Sequence, residues 1–250
     1  MAETTLALAS LATYLVGLTY AFVAYRLTTH ARQAPASRRP MLYFAFWWGA
    51  TGLNQILGAT LYLAASLGHT DLTLQLAYVL LQRLLLALSL VGLMYYLLSL
   101  HLGRGFLVPL LAFYSLYWVT QVYSVLARQP IGVESFGWRT DLVYALQLAP
   151  AFALVNLAIL VPPVLGALLL LRLYRRIEDR TRRFRVAMLA GGFTIWWIVA
   201  IVAGQPATFD NTFLQITNRA VGIAVALGIL LAYQPLPWMQ ERYHLQTDKA

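Results

Sequence analysis

The stretch Leu72–Leu100 reads LTLQLAYVLLQRLLLALSLVGLMYYLLSL and carries a single charged residue, Arg83. A helix crosses the hydrocarbon core of a bilayer with about 20 predominantly apolar residues. This stretch is longer than that, so the helix it predicts should tilt or protrude from the membrane. It therefore predicts a transmembrane helix and, with it, an integral membrane protein.

Six other apolar stretches of spanning length occur along the chain. They are Thr5–Tyr25, Met41–Ser66, Phe106–Ala127, Leu142–Leu171, Phe184–Ala203 and Thr212–Tyr233. The stretch Leu142–Leu171 contains Pro150, Pro162 and Pro163, which predict a kink because proline removes a helical hydrogen bond. The sequence thus predicts an all-α bundle of seven transmembrane helices over residues 1–234, followed by a short cytoplasmic tail over residues 235–250.

The composition points to the same class of protein. Of 250 residues, 60% are hydrophobic and 11% are charged, and the mean hydropathy is +0.67. Soluble domains contain about 25% charged residues, so the balance excludes a soluble enzyme and a disordered chain. The chain has no cysteine, which excludes disulfides, thiolate catalysis and cysteine-ligated metal centres.

The arginines predict the orientation of the bundle. With the N-terminus outside, 14 basic residues lie in inner segments and two in outer ones, while Arg83 and Arg219 lie within spans. Such a bias follows the positive-inside rule. Seventeen of the 18 basic residues are arginine, which suggests a GC-rich genome, and we expect a multi-pass protein of a prokaryotic plasma (inner) membrane.

The segment Arg172–Arg185 holds seven of these arginines. We expect it to contact membrane lipids, in particular anionic headgroups of the inner leaflet. Docking of another membrane protein or of a cytoplasmic protein is the alternative. Because the basic residues report topology, no nucleic-acid partner is predicted.

Polar side chains within the predicted spans mark a candidate ligand site. An arginine near the centre of a span costs about 2.5–3.5 kcal/mol, and Arg83 and Arg219 lie roughly 18 Å and 12 Å from the outer ends of their helices. Amide side chains accompany them in these spans: Asn54, Gln55, Gln75, Gln82, Gln147, Asn156, Gln215 and Asn218. The hypothesis is an outward-facing polar cavity above an apolar plug. The alternative is a set of interhelical hydrogen bonds of about 0.6 kcal/mol each.

The sequence leaves two alternatives for the groups that balance the charges of Arg83 and Arg219. No carboxylate lies deep in the predicted spans, and Asp71, Asp141 and Asp210 lie at outer helix ends. If those carboxylates reach inward, the arginines form structural ion pairs. If they do not, an anionic ligand or backbone carbonyl groups must satisfy the guanidinium groups.

Enzyme chemistry is not expected. The spans hold no pair of carboxylates, and the four histidines lie at loops and helix ends. Metal-dependent hydrolysis, zinc binding and haem ligation need such groups clustered inside the bundle. We therefore predict neither an enzyme nor a bound cofactor.

The predicted layout resembles that of microbial rhodopsins and of serpentine receptors in topology. Rhodopsins attach retinal to a lysine of the seventh helix, but the lysine of this chain is Lys249, in the tail. Covalent retinal is therefore excluded. A non-covalent apolar ligand is not excluded, because tryptophans within the spans could line a site for it. The alternative is that these tryptophans only pack against neighbouring helices: Trp48, Trp118, Trp196 and Trp197.

The sequence predicts a receptor-like, non-enzymatic membrane protein that binds a small or lipidic ligand, with an anionic ligand as one alternative. It would act in signal transduction as a sensor, or as a subunit of a larger membrane assembly. The alternative is an alternating-access transporter or a channel component, in which Pro162 and Pro163 provide a hinge.

Overall fold

The computed structural model describes residues 2–33, 38–100, 105–147, 161–204 and 208–243. These residues are predominantly helical, with eight helices and one two-stranded antiparallel sheet. In chain order the elements are α1 (Ala2–Gln33), α2 (Arg38–Ser66), α3 (Leu72–Ser99), α4 (Leu107–Ala127), β1 (Pro130–Phe136), β2 (Arg139–Tyr144), α5 (Val161–Arg176), α6 (Arg180–Ala203), α7 (Thr212–Tyr233) and α8 (Pro237–Tyr243).

The outer surface of the helices is apolar. On α1, large side chains repeat every three or four residues and are 54–65% exposed: Leu8, Leu11, Leu15 and Leu18. Soluble monomers rarely expose such a continuous apolar face. Within the described ranges, five helices are long and apolar enough to cross a membrane, namely α1, α3, α4, α6 and α7. These features indicate a multi-pass membrane protein, while the count of seven spans stays a prediction.

The predicted span Leu142–Leu171 is wrong at its start. Leu142 lies in β2, which pairs with β1 so that Glu134 faces Asp141 and Phe136 faces Arg139. Thr140 and Leu142 are buried while their neighbours in β2 are half-buried. This alternation is typical of a strand, and hydropathy alone does not separate it from the start of an apolar helix.

The remainder of that predicted span divides into two parts. Residues 148–160, which include Pro150 and Asn156, lie outside the described residues. Helix α5 is described from Val161, so Pro162 and Pro163 lie at the start of its described part. The kink predicted for this span stays a prediction, because the residues just before Val161 lie outside the described part of the chain.

Six of the long helices form a closed ring. Each packs against the next in the order α1, α2, α3, α5, α6, α7 and back to α1, while α4 packs on the outside against α3. Helices α1 and α2 approach closely at two glycines. A Cβ on Gly17 would lie 2.7 Å from Ile56 Cγ1, and one on Gly52 would lie 2.9 Å from the Gly17 carbonyl oxygen. The two helix backbones thus touch at these glycines, as small residues allow in membrane bundles.

Aromatic side chains fill the centre of the ring. The rings of Phe44 and Tyr96 lie 4.3 Å apart, and those of Trp47 and Phe193 lie 5.1 Å apart. All four are at most 5% exposed. The hydroxyls of Tyr96 and Tyr233 are hydrogen-bonded at 2.5 Å. An aromatic cluster therefore closes the middle of the ring, and the apolar plug beneath an outward-facing cavity stays a prediction.

Candidate functional site

The β1–β2 hairpin lies against the connection between α6 and α7, at the end of the ring that we call the hairpin end. The Gly137 N–H donates to Asp210 Oδ1 at 2.8 Å. The Trp138 N–H donates to the Phe209 carbonyl oxygen at 3.3 Å, and its indole N–H donates to Thr212 Oγ1 at 3.0 Å. These three bonds hold the hairpin turn over the start of α7.

Two adjoining cavities lie beneath the hairpin. The first, of about 210 Å³, is bounded by α1, α2, α6, α7 and the hairpin turn. The second, of about 240 Å³, is bounded by α2, α3 and β2. Four residues line both: Thr13, Gln55, Tyr62 and Arg139. The polar space at this end of the ring is therefore one pair of neighbouring compartments.

Eight of the ten predicted site residues line these cavities. The first cavity has Gln215, Asn218 and Arg219, the second has Asn54, Gln75, Gln82 and Arg83, and Gln55 borders both. Gln147 is exposed beyond β2 and lines neither cavity, which corrects its predicted place at the outer end of a helix. Asn156 lies outside the described residues. The structure brings the eight together, and their role in binding stays a prediction.

Arg219 is held by uncharged partners. Its Nε donates to Thr13 Oγ1 at 3.0 Å, and its Nη1 donates to the carbonyl and side-chain oxygens of Gln215 at 3.0 and 3.1 Å. The guanidinium carbon lies 5.1 Å from the Trp138 ring centroid. These contacts fix the side chain beneath the hairpin without neutralising its charge.

Arg83 is the less satisfied of the two arginines. It is half-buried and, within the described part of the chain, donates no hydrogen bond and forms no ion pair. Asn54 lines the same cavity, and its buried side-chain oxygen has no partner among the described residues. A buried polar group without a partner costs about 1–3 kcal/mol. The second cavity therefore offers both donors and an acceptor to a bound molecule.

The three outer carboxylates bind groups other than Arg83 and Arg219. Asp71 caps α3 by accepting from the Leu74 N–H at 2.7 Å. Asp210 accepts from Gly137, as described above, and Asp141 lies 3.6 Å from Arg139. Among the described residues, neither Arg83 nor Arg219 has a carboxylate partner.

Arg139 is a site residue that the sequence analysis missed, because it was counted with the outer loops. It lines both cavities, and its guanidinium carbon lies 4.7 Å from the Phe209 ring centroid. Recognising Arg139-Thr140-Asp141-Leu142 as a strand would have placed Arg139 over the helix ring. Over the residues that the structure describes, three arginines and one carboxylate, Asp141, line the two cavities.

Tyr144 supplies a further donor to the second cavity. Burial raises the pKa of its phenol, and the opposing charge of Arg128 does not cancel that effect. The guanidinium carbon of Arg128 lies 3.5 Å from the Tyr144 ring centroid. The hydroxyl therefore stays protonated at neutral pH and is able to donate to an anion.

We expect Asp210→Ala to loosen the hairpin, because it removes the acceptor that holds the Gly137 N–H. A hydrogen bond to a charged group contributes about 1.5–3 kcal/mol. Amide exchange of residues 136–139, followed by mass spectrometry in detergent, should therefore accelerate roughly tenfold. Glu134→Ala is the matched control, since Glu134 is exposed on β1. Equal exchange in both variants would contradict the role of Asp210.

The chemistry available in these cavities is the recognition of an oxyanion. Arginine, amide and phenol donors surround the space, and guanidinium groups bind carboxylate and phosphate oxygens in a forked geometry. Comparison of the chain with protein-family models, with curated proteins and with solved structures gave no match.

Proposed function

We propose that this protein is a non-enzymatic multi-pass membrane protein that binds a small anion in the cavities beneath the hairpin. The observation that carries the proposal is the charge of the lining. Arg83, Arg139 and Arg219 face the cavities together with one carboxylate, Asp141, among the described lining residues. An arginine charge that is removed from water and left without a counter-charge is costly. An anionic ligand supplies that counter-charge.

The size of the cavities favours a small ligand over a lipidic one. Their volumes are about 210 and 240 Å³, below the range of about 300–1,000 Å³ typical of sites for drug-sized molecules. A small carboxylate or phosphate compound fits this space better than an acyl chain does. The polar lining also disfavours a purely apolar ligand.

Arg219 and Arg83 have different roles in the proposed binding site. Arg219 is preorganised by Thr13 and Gln215, and its Nη2 donates to no described protein atom. Arg83 has all its donors available to the ligand. Trp138 lies beside Arg219 and is 3% exposed, so it keeps water from that guanidinium and strengthens its electrostatic attraction for the ligand.

The proposed orientation places these cavities on the outer side of the membrane. Seven helices span the bilayer, the hairpin end faces outward, and the segment Arg172–Arg185, which runs from the end of α5 into α6, faces inward. The distribution of basic residues supports this arrangement. In this proposal the protein lies in a prokaryotic plasma membrane and takes its ligand from outside the cell.

The proposed role is that of a sensor or a subunit of a larger assembly. The two adjoining cavities are lined by α2, α3, α7 and β2, so occupancy can change how these elements pack. A partner protein in or beside the membrane would receive that change. Transport is the alternative, and the buried aromatic cluster at Phe44 and Trp47 disfavours it, because a passage would have to open through side chains at most 1% exposed.

Native mass spectrometry of the gently extracted protein, followed by identification of whatever dissociates from it, tests the proposal. We expect a stoichiometric small anion on the wild type and on Arg175→Gln, and none on Arg83→Gln. Arg175 is an exposed residue of α5 that lines neither cavity, so its variant loses the same charge. Empty cavities together with a co-purifying protein would overturn the proposal, and flux of the identified anion into proteoliposomes would favour transport.

A further inference from the structure

A second arginine-lined groove lies at the opposite end of the ring, where α6 begins. Its volume is about 400 Å³. Arg180 and Arg183 come from the first turns of α6, and Arg242 comes from α8. All three are exposed. We call this groove, formed by these arginines with Tyr174, Phe184 and Tyr243, the arginine groove.

Aromatic contacts bring these arginines together. The guanidinium carbon of Arg183 lies 4.5 Å from the ring centroid of Tyr174. The rings of Phe184 and Tyr243 stack with centroids 5.6 Å apart and planes inclined by 28°. The second contact joins α6 to α8, so Arg242 lies at the same groove as the two arginines of α6. The charges thus converge from elements that are distant in sequence.

The charges of the groove have no ion-pair partner in the described part of the chain. The neighbouring carboxylate of Asp179 accepts a hydrogen bond from the Arg182 N–H at 2.7 Å and caps α6. Three guanidinium groups thus face one space without neutralisation. Such a set matches the oxygens of a phosphate group, which arginine binds through paired N–H donors.

The surroundings of the groove select a membrane lipid over a soluble phosphate compound. Leu236, just before helix α8, is 44% exposed, and Trp238 and Tyr243 of α8 are 55% and 46% exposed. Exposed tryptophan and tyrosine beside arginine are typical of segments at the membrane interface. Phe184 provides an apolar wall next to the charged groups. The groove therefore has a charged part for a headgroup and an apolar part for the glycerol and the first carbons of the acyl chains.

We infer that the arginine groove is a specific site for the phosphate of an anionic phospholipid. The inference is independent of the anion proposed for the hairpin end, since the two sites share no residue. It is also narrower than general attraction of the segment Arg172–Arg185 to the membrane. It assigns binding to Arg180, Arg183 and Arg242, and leaves the exposed arginines of α5 outside the site.

Two triple variants that remove equal charge test this assignment. The groove variant carries Arg180→Gln, Arg183→Gln and Arg242→Gln. The control variant carries three changes in α5: Arg172→Gln, Arg175→Gln and Arg176→Gln. Each protein is reconstituted in nanodiscs of phosphatidylcholine with phosphatidylglycerol, released, and examined by native mass spectrometry for retained phosphatidylglycerol.

We expect the wild type and the control to retain one phosphatidylglycerol molecule. The groove variant should retain less lipid by a factor of roughly ten or more. The single variant Arg242→Gln, in the short helix α8, should show a partial loss without affecting the bundle. Equal losses in the two triple variants would overturn the site in favour of diffuse attraction. Displacement of the lipid by inorganic phosphate at low millimolar concentration, about 1 mM, would instead assign the groove to a soluble phosphate compound.

Discussion

Arg83→Gln should weaken anion binding by about 10- to 100-fold and leave the thermal unfolding temperature unchanged. A hydrogen bond to a charged group contributes about 1.5–3 kcal/mol, and each 1.4 kcal/mol is a factor of about ten in affinity. Stability should not fall, because Arg83 donates to no protein group within the described residues. Isothermal titration with the anion identified by mass spectrometry measures the affinity, and differential scanning calorimetry in the same detergent measures the unfolding temperature.

Arg175→Gln is the charge-matched control and should bind as the wild type does. Arg219→Leu should differ from Arg83→Gln, because it also removes the hydrogen bonds to Thr13 and Gln215. We expect it to lose both affinity and stability. If Arg83→Gln lowers the unfolding temperature and leaves the affinity intact, Arg83 is a structural residue and the proposed site is wrong.

Gly52→Val should destabilise the bundle strongly. A Cβ on Gly52 would lie 2.9 Å from the Gly17 carbonyl oxygen and 3.1 Å from the Ala21 nitrogen. Both neighbours are backbone atoms of α1, so no side-chain rotation relieves the clash. Overpacking costs about 1–3 kcal/mol and sometimes more, and we expect the upper end of that range. The fraction of folded protein after heating, measured by fluorescence-detected size-exclusion chromatography, reports the loss.

Gly191→Val is the control for this substitution. Gly191 also lies within a long helix, α6, but a Cβ there would meet nothing within 4 Å. It therefore carries the same change in helix propensity without the clash, and its stability should stay close to that of the wild type. Equal stability of the two variants would contradict the close approach of α1 and α2.

Most positions of the long helices could be predicted from the sequence, and α7 shows why. The stretch Thr212–Tyr233 was predicted from its apolar run and is the observed extent of α7. Asn211 precedes it and caps it by accepting from the Leu214 N–H at 3.0 Å. Both signals are local, since a spanning helix satisfies its own backbone and depends little on distant residues. The start of the predicted fifth span failed because a strand needs a partner, and Arg139–Tyr144 has one in β1.

The candidate site was predictable in its residue types and not in its arrangement. The sequence indicated that Arg83, Arg219 and the amides would avoid lipid, because a polar group in hydrocarbon is costly. It did not show where the carboxylates would go. Asp210 accepts from Gly137, 73 positions away in the chain, and Asp141 pairs with Arg139.

The sequence by itself determined that this chain is an apolar, predominantly helical membrane protein with costly arginines in its helices. Those properties depend on local composition, which can be read directly from the sequence. Only the tertiary structure decided that the hairpin covers one end of the ring, that Arg139 joins Arg83 and Arg219 there, and that among the described residues Asp141 pairs with Arg139 and leaves Arg83 and Arg219 without a carboxylate. The physical reason is that hydrogen-bond and ion-pair partners are chosen by distances of a few ångströms between elements far apart in sequence.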